Sequence, residues 1–90
     1  MKFSYNYEKN ALLLRDRGIG FEEIIRAIGS GGLLAIVDHP NLRKYPNQKL
    51  FYVYIMDEVY VVPCVQETGG VLFLKMLFPS RKARKLFLSH

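Results

Sequence analysis

Apolar residues recur at helical spacing in the first third of the chain and gather into short strand-like runs after it. Lys2 to Tyr5 predicts a short first strand. Asn6 then stands where a helix N-cap belongs, and Tyr7, Ala11 and Leu14 follow at helical spacing. Gly18 ends that helix just after Arg15 and Arg17, whose charges suit the negative end of a helix dipole. A second helix carries Phe21, Ile24, Ile25 and Ile28 on one stripe. Gly20 is at its N-cap, Glu22 and Glu23 fill its first turn, and Gly29 to Gly32 ends it.

The remainder reads as sheet. Strands are predicted at Leu33 to Val37, Leu50 to Met56, Val59 to Val65 and Val71 to Phe78. Asp38 to Lys49 is a polar connection, Asp57-Glu58 a hairpin turn and Gly69-Gly70 a second turn. The last three strands form an antiparallel meander, and Pro63 demands a bulge or an exposed edge in its strand. Pro79 stops the final strand and Ser80 caps a short basic helix. The expected architecture is α+β: two N-terminal helices, a twisted antiparallel sheet of about four strands and the C-terminal helix. No repeat or linker divides residues 1–90, so one domain is expected.

Charge gives the last helix its interest. The chain carries a net charge of +5 with a pI near 9.5, which points to a polyanion or an acidic protein as partner. At about 100° per residue, Arg81, Arg84 and Lys85 share one face of the helix. Ala83, Leu86 and Phe87 fall on the other and can pack on the sheet, while Lys82 points about a quarter-turn away. A packed helix with cations on one side is suited to gripping phosphates, which makes RNA the first partner to consider.

Other features narrow the chemistry. Cys64 is the one cysteine, set in an apolar strand pattern, which fits a small buried hydrophobe in a reducing cytoplasm. His39 and His90 have no Cys or His at ligand spacing, so no metal site is expected, and no cofactor. No leader is visible and no apolar run approaches the ~20 residues of a membrane span. Lys75 interrupts an apolar strand and must face solvent, a cleft or a partner. Arg43, Lys44, Tyr45 and Lys49 form either a second basic edge with a stacking ring or an ordinary surface loop. Candidates for a general acid or base are sparse. They are His39, in a turn-like Asp-His-Pro, and Glu67, after the third strand of the sheet. Tyr52 and Tyr54 share a strand face, and with Tyr60 either stack on bases or pack in the core.

The opening Phe3-Ser4-Tyr5-Asn6-Tyr7-Glu8-Lys9-Asn10, then Arg15-Asp16-Arg17-Gly18-Ile19-Gly20-Phe21-Glu22-Glu23, resembles the aromatic-acidic start and the His-Gly-Val-Ser-Phe-Glu-Glu stretch of the BrnT-type toxin family. Pro79-Ser80-Arg81-Lys82 is similar to its Ser/Ala-Arg-Lys segment before a last basic helix. The resemblance implies a RelE/ParE-like fold and a metal-independent endoribonuclease that cleaves mRNA, free or ribosome-bound, and arrests translation. It also implies a ribbon-helix-helix antitoxin that neutralises the toxin and binds operator DNA with it. Arg17 replaces the family His and Gly20 the family Ser.

An RNase of this kind must orient the ribose 2′-OH, accept its proton, stabilise the phosphorane-like charge and protonate the leaving oxygen. Arg81, Lys82, Arg84 and Lys75 are the catalytic candidates, Arg81 first because a guanidinium grips two phosphate oxygens. Lys85, Lys49, Lys44, Tyr45 and Arg17 are the RNA-binding candidates. Two alternatives stand beside this reading. One is a non-catalytic module that binds RNA, DNA or protein, and the other a structural domain whose apolar strands pair with another chain.

Overall fold

The structure, a computed structural model, describes residues 1–89; His90, considered above as a metal ligand, lies outside them. The elements are β1 (Lys2–Tyr5), α1 (Tyr7–Arg17), α2 (Phe21–Gly29), β2 (Leu33–Asp38), β3 (Gln48–Ile55), β4 (Glu58–Gln66), β5 (Val71–Leu74), β6 (Phe78–Pro79) and α3 (Arg81–Leu88). The α+β class is as expected, but the sheet has six strands of mixed sense rather than about four antiparallel ones. Its order is β1-β5-β4-β3-β2, with β6 also paired to β4. β1 runs parallel to β5, Lys2 opposite Val71 and Tyr5 opposite Leu74. A four-residue strand carries no local mark of its partner, which is why the pattern along the chain does not reveal this pairing.

Strand alternation sorts the core into two halves. Phe51 and Val53 of β3, Val62 and Cys64 of β4, and Leu74 of β5 pack with Leu13, Phe21 and Ile24 of the N-terminal helices. Val59 and Val61 point the other way and pack with Ala83 of α3, flanked by Leu50, Tyr52, Phe87 and Leu88. Leu86, expected on that packed face of α3, is 75% exposed; the helix rests on Ala83, Phe87 and Leu88 instead. In α1 the expected stripe of Tyr7, Ala11 and Leu14 is exposed and Leu13 is buried. Ala11 to Leu14 is an unbroken apolar run, so its periodicity does not choose a face.

The joint between the two helices is built by a long-range cap. Gly18 adopts the left-handed conformation (φ 73°) and its N–H donates to the Leu14 carbonyl, ending α1. Gly20 has no side chain with which to cap α2. The Asn10 Oδ1 of α1 does it instead, accepting from the Phe21 N–H at 2.7 Å, while Glu23 Oε2 accepts from the Gly20 N–H at 2.9 Å. A Cβ at position 20 would collide with Asn10 Oδ1 and stand 3.0 Å from Leu14 Cγ. A side chain at position 20 would therefore displace the tip of Asn10 and with it the cap that Asn10 supplies.

Pro63 shapes the other end of the sheet. It lies in β4, an interior strand, opposite Leu50 of β3. Its carbonyl accepts from the Lys75 N–H at 2.9 Å on the β5 side, the side to which its nitrogen also points and offers no donor. The neighbouring chain bulges there. Pairing stops at Cys64 with Leu74 and resumes at Val61 with Phe78, so Lys75, Met76 and Leu77 oppose only Val62 and Pro63. The predicted strand Val71 to Phe78 is thereby split into β5 and β6. The extra residue turns Leu77 into the helix-side core beside Leu74 and leaves Lys75 exposed. The β3–β4 hairpin turns at Met56-Asp57, one residue earlier than expected, with φ of 48° and 67°. Both signs are those of a type I′ turn.

No helix among the described residues is long and apolar enough to cross a membrane. Cys64 is fully buried, donates weakly to the Val62 carbonyl, and burial pushes its thiol up to about 12.

These contacts have measurable effects. Asn10→Ala removes the cap of α2 and lowers unfolding stability by about 1 kcal/mol in a denaturant titration. Unchanged stability would mean that the cap does not form. The Cys64 thiol ignores an aromatic disulfide reagent in mildly alkaline buffer until the protein unfolds. The folded thiol keeps its proton while an unfolded one, with an ordinary value of 9.0, loses it. Stability is therefore unaffected by this group below 9.0 and falls as pH rises from there towards about 12.

Candidate nucleic-acid interface

Helix α3 is fastened at its N-cap. The Ser80 N–H donates to the Val59 carbonyl at 2.9 Å, tying the helix start to β4. Ser80 Oγ accepts from the Ala83 N–H at 3.0 Å and caps the first turn. Ala83 then sits at 4% exposure on Val59 and Val61, and the Phe87 ring lies 5.2 Å from that of Tyr52. This packing directs Arg81, Arg84 and Lys85 towards a groove of about 800 Å³, whose other walls are Glu58, Tyr60 and Pro79.

The first turn of α3 holds Arg81, Lys82 and Arg84 and no acid. Cations at the positive end of a helix dipole each cost about 0.3–1 kcal/mol, so the sequence here works against its own helix. Local violations of this kind are expected where charge serves a ligand. Arg84 is the exception: its Nε donates to the Asp57 carbonyl at 2.7 Å and its Nη2 to Asp57 Oδ2 at 2.8 Å. That clasp holds the β3–β4 turn and partly neutralises the guanidinium. Arg81 and Lys85 have no ion-pair partner among the described residues. Lys82 is exposed and lines neither this groove nor the next.

Lys75 belongs to a different groove. The bulge places it with Lys9, His39, Tyr45 and Gln48 around a hollow of about 580 Å³, over Leu50, Pro63 and Phe78. The two grooves share no lining residue; β6 gives Pro79 to one and Phe78 to the other. The candidate catalytic cations thus divide, three on α3 and Lys75 beyond β6.

The β2–β3 connection is a hydrogen-bonded turn rather than an open loop. The Tyr45 N–H donates to the Asn41 carbonyl, the Gln48 N–H to the Tyr45 carbonyl, and the Lys44 N–H to Asn41 Oδ1. The Lys44 ammonium stands 5.4 Å from the centre of the Tyr45 ring. Lys49, an RNA-binding candidate, is ion-paired with Asp38 across the β2–β3 ladder, so its charge is already answered. Arg17 is exposed at the end of α1 and lines neither groove.

Glu58 escapes a reading of the chain alone, where it reads as a turn residue; Tyr60, open there between base stacking and core packing, lines the same groove as Arg81. His39, Gln48 and Lys9 likewise come together only through the bulge and the folded connection. Glu67, an acid–base candidate, is exposed and lines neither groove.

In a double-mutant cycle, Arg84→Ala and Asp57→Ala show a coupling of about 0.2–1 kcal/mol that shrinks as salt is added, the range of exposed pairs. A coupling of zero would mean that the Asp57 carboxylate adds nothing to the bond from Arg84 to the Asp57 carbonyl.

No family model, curated protein or solved structure matches this chain.

Proposed function

We propose that the chain is the toxin of a type II toxin–antitoxin pair, an endoribonuclease that cuts mRNA at the α3 groove and so arrests translation. The observation that carries this reading is the meeting of Arg81 and Lys85 with a carboxylate, Glu58, in one groove beside a helix that bears Arg81 at its unfavourable end. A phosphodiester supplies the negative charge that this arrangement lacks. The resemblance of both chain ends to BrnT-type toxins leads to the same class.

The roles follow from the chemistry of the cleavage. Glu58 accepts the ribose 2′-OH proton, and the freed oxygen attacks the adjacent phosphorus. Arg81 holds two non-bridging oxygens and stabilises the charge that builds on them. The bond from phosphorus to the 5′-oxygen breaks, and the Lys85 ammonium gives that oxygen its proton. The products are a 2′,3′-cyclic phosphate and a 5′-hydroxyl. Arg84 positions the turn that carries Glu58, and no step uses position 17. Attack by a neighbouring hydroxyl needs no metal ion. The partner expected with such a toxin is a ribbon-helix-helix antitoxin, and the pair would bind operator DNA.

Expression of Arg81→Ala should leave growth unaffected while the folded variant still binds its antitoxin. Purified wild-type protein should cleave labelled RNA in EDTA and leave a substrate with 2′-deoxyribose at the cut site intact. Glu58→Gln should slow cleavage about 10²–10⁴-fold, the usual contribution of a general base. Full toxicity of the Arg81 variant would remove the site assignment. Salt-sensitive binding that leaves RNA whole would make the chain a non-catalytic binding module.

A further inference from the structure

The groove beyond β6 has a composition that the cleavage chemistry does not use. Its charged members are Lys9 and Lys75, neither of which has an ion-pair partner among the described residues. Both also line an adjoining hollow of about 340 Å³ on the α1 side, which Glu8 shares. Facing them, the His39 and Tyr45 rings lie 4.5 Å apart at 47°. The Asn41 N–H donates to His39 Nδ1 at 3.0 Å, which leaves the ring proton on Nε2 and makes that edge a donor. The His39 N–H donates to the Gln48 carbonyl, closing the turn that carries both rings. Gln48 adds a side-chain amide, with one donor group and one acceptor, to the same wall.

We propose that this groove is a nucleotide-binding subsite, in which His39 and Tyr45 receive the base of one RNA residue and Lys9 and Lys75 its phosphate. The volume of about 580 Å³ lies within the ~300–1,000 Å³ of small-molecule sites. Paired rings give a base a face to stack on, and such stacking tolerates any base. His39 Nε2 and the Gln48 amide supply edge contacts, and these can discriminate among bases. Two unanswered ammonium groups on separate elements, α1 and the bulge, suit a single phosphate approached from two sides. An acidic peptide would answer the lysines but would leave the rings and the amide without a purpose. The identification of the polymer as RNA rests on the function proposed above, whereas binding of a single nucleotide is independent of cleavage.

The experiment titrates the full chain with each of the four ribonucleoside 5′-monophosphates, with the corresponding nucleosides, with inorganic phosphate and with a polyglutamate peptide. The His39 and Tyr45 ring resonances and the backbone amides of α3 are followed by NMR. Monophosphates should shift both rings, more strongly than nucleosides or phosphate at equal concentration. Lys75→Gln should weaken that binding about tenfold, as the loss of one charge-assisted contact requires. His39→Gln should alter the preference among the four bases, and Arg81→Ala should leave the titration unchanged. Shifts confined to α3, no shift with any nucleotide, or equal displacement by polyglutamate would overturn the subsite. A wild-type protein that binds nucleotides here yet never cuts RNA would refute the ribonuclease reading and leave this one standing.

Discussion

A missing hydrogen-bond donor organises the functional half of this fold. Pro63 occupies an interior strand, where a proline has no N–H for its neighbour. The neighbour answers with one extra residue, and the consequences run outward from there. Leu77 is turned into the core, Lys75 is turned away from it, and β6 is short and set beyond the bulge. Ser80 follows β6 directly and fastens to Val59, which decides where α3 begins. Both grooves flank β6 and inherit their shape from this irregularity.

The placement of charge divides along the same line. Arg15 and Arg17 stand at the end of α1, where a helix welcomes cations, and neither borders the two grooves beside β6. Arg81 and Lys82 stand where a helix resists them, as does Lys9 in the first turn of α1. Arg81 and Lys9 each line a groove beside β6. The apolar contacts of Ala83, Phe87 and Leu88 hold α3 against its own electrostatics. Tertiary packing commonly outweighs local terms of this size.

Much of this is legible in the chain because the signals are local. Asn6, Gly18 and Ser80 act as caps or stops where their types suggest, and the stripe from Phe21 to Ile28 forms the helix it describes. The cluster on α3 is visible because Arg81, Arg84 and Lys85 are separated by helical intervals. What escapes depends on residues distant in sequence. Asn10 caps a helix eleven residues on, a relation that no motif encodes. Pro63 announces an irregularity but not that its neighbour bears it. Glu58 is unremarkable in its own segment, and His39 is marked there only as an acid–base candidate; both join the grooves through residues brought from elsewhere. The clasp of Asp57 on Arg84 is hidden for the same reason, and it answers the charge of one of the catalytic candidates.

The parallel pairing of β1 with β5 has a consequence for synthesis. Lys2 and Val71 are neighbours in the sheet although almost seventy residues separate them. The first strand therefore waits, unpartnered, until synthesis has passed Val71, and closing so long a loop is slow. α3 emerges later still. Neither groove can form before then, because one needs Phe78 and the other Arg81 and Lys85.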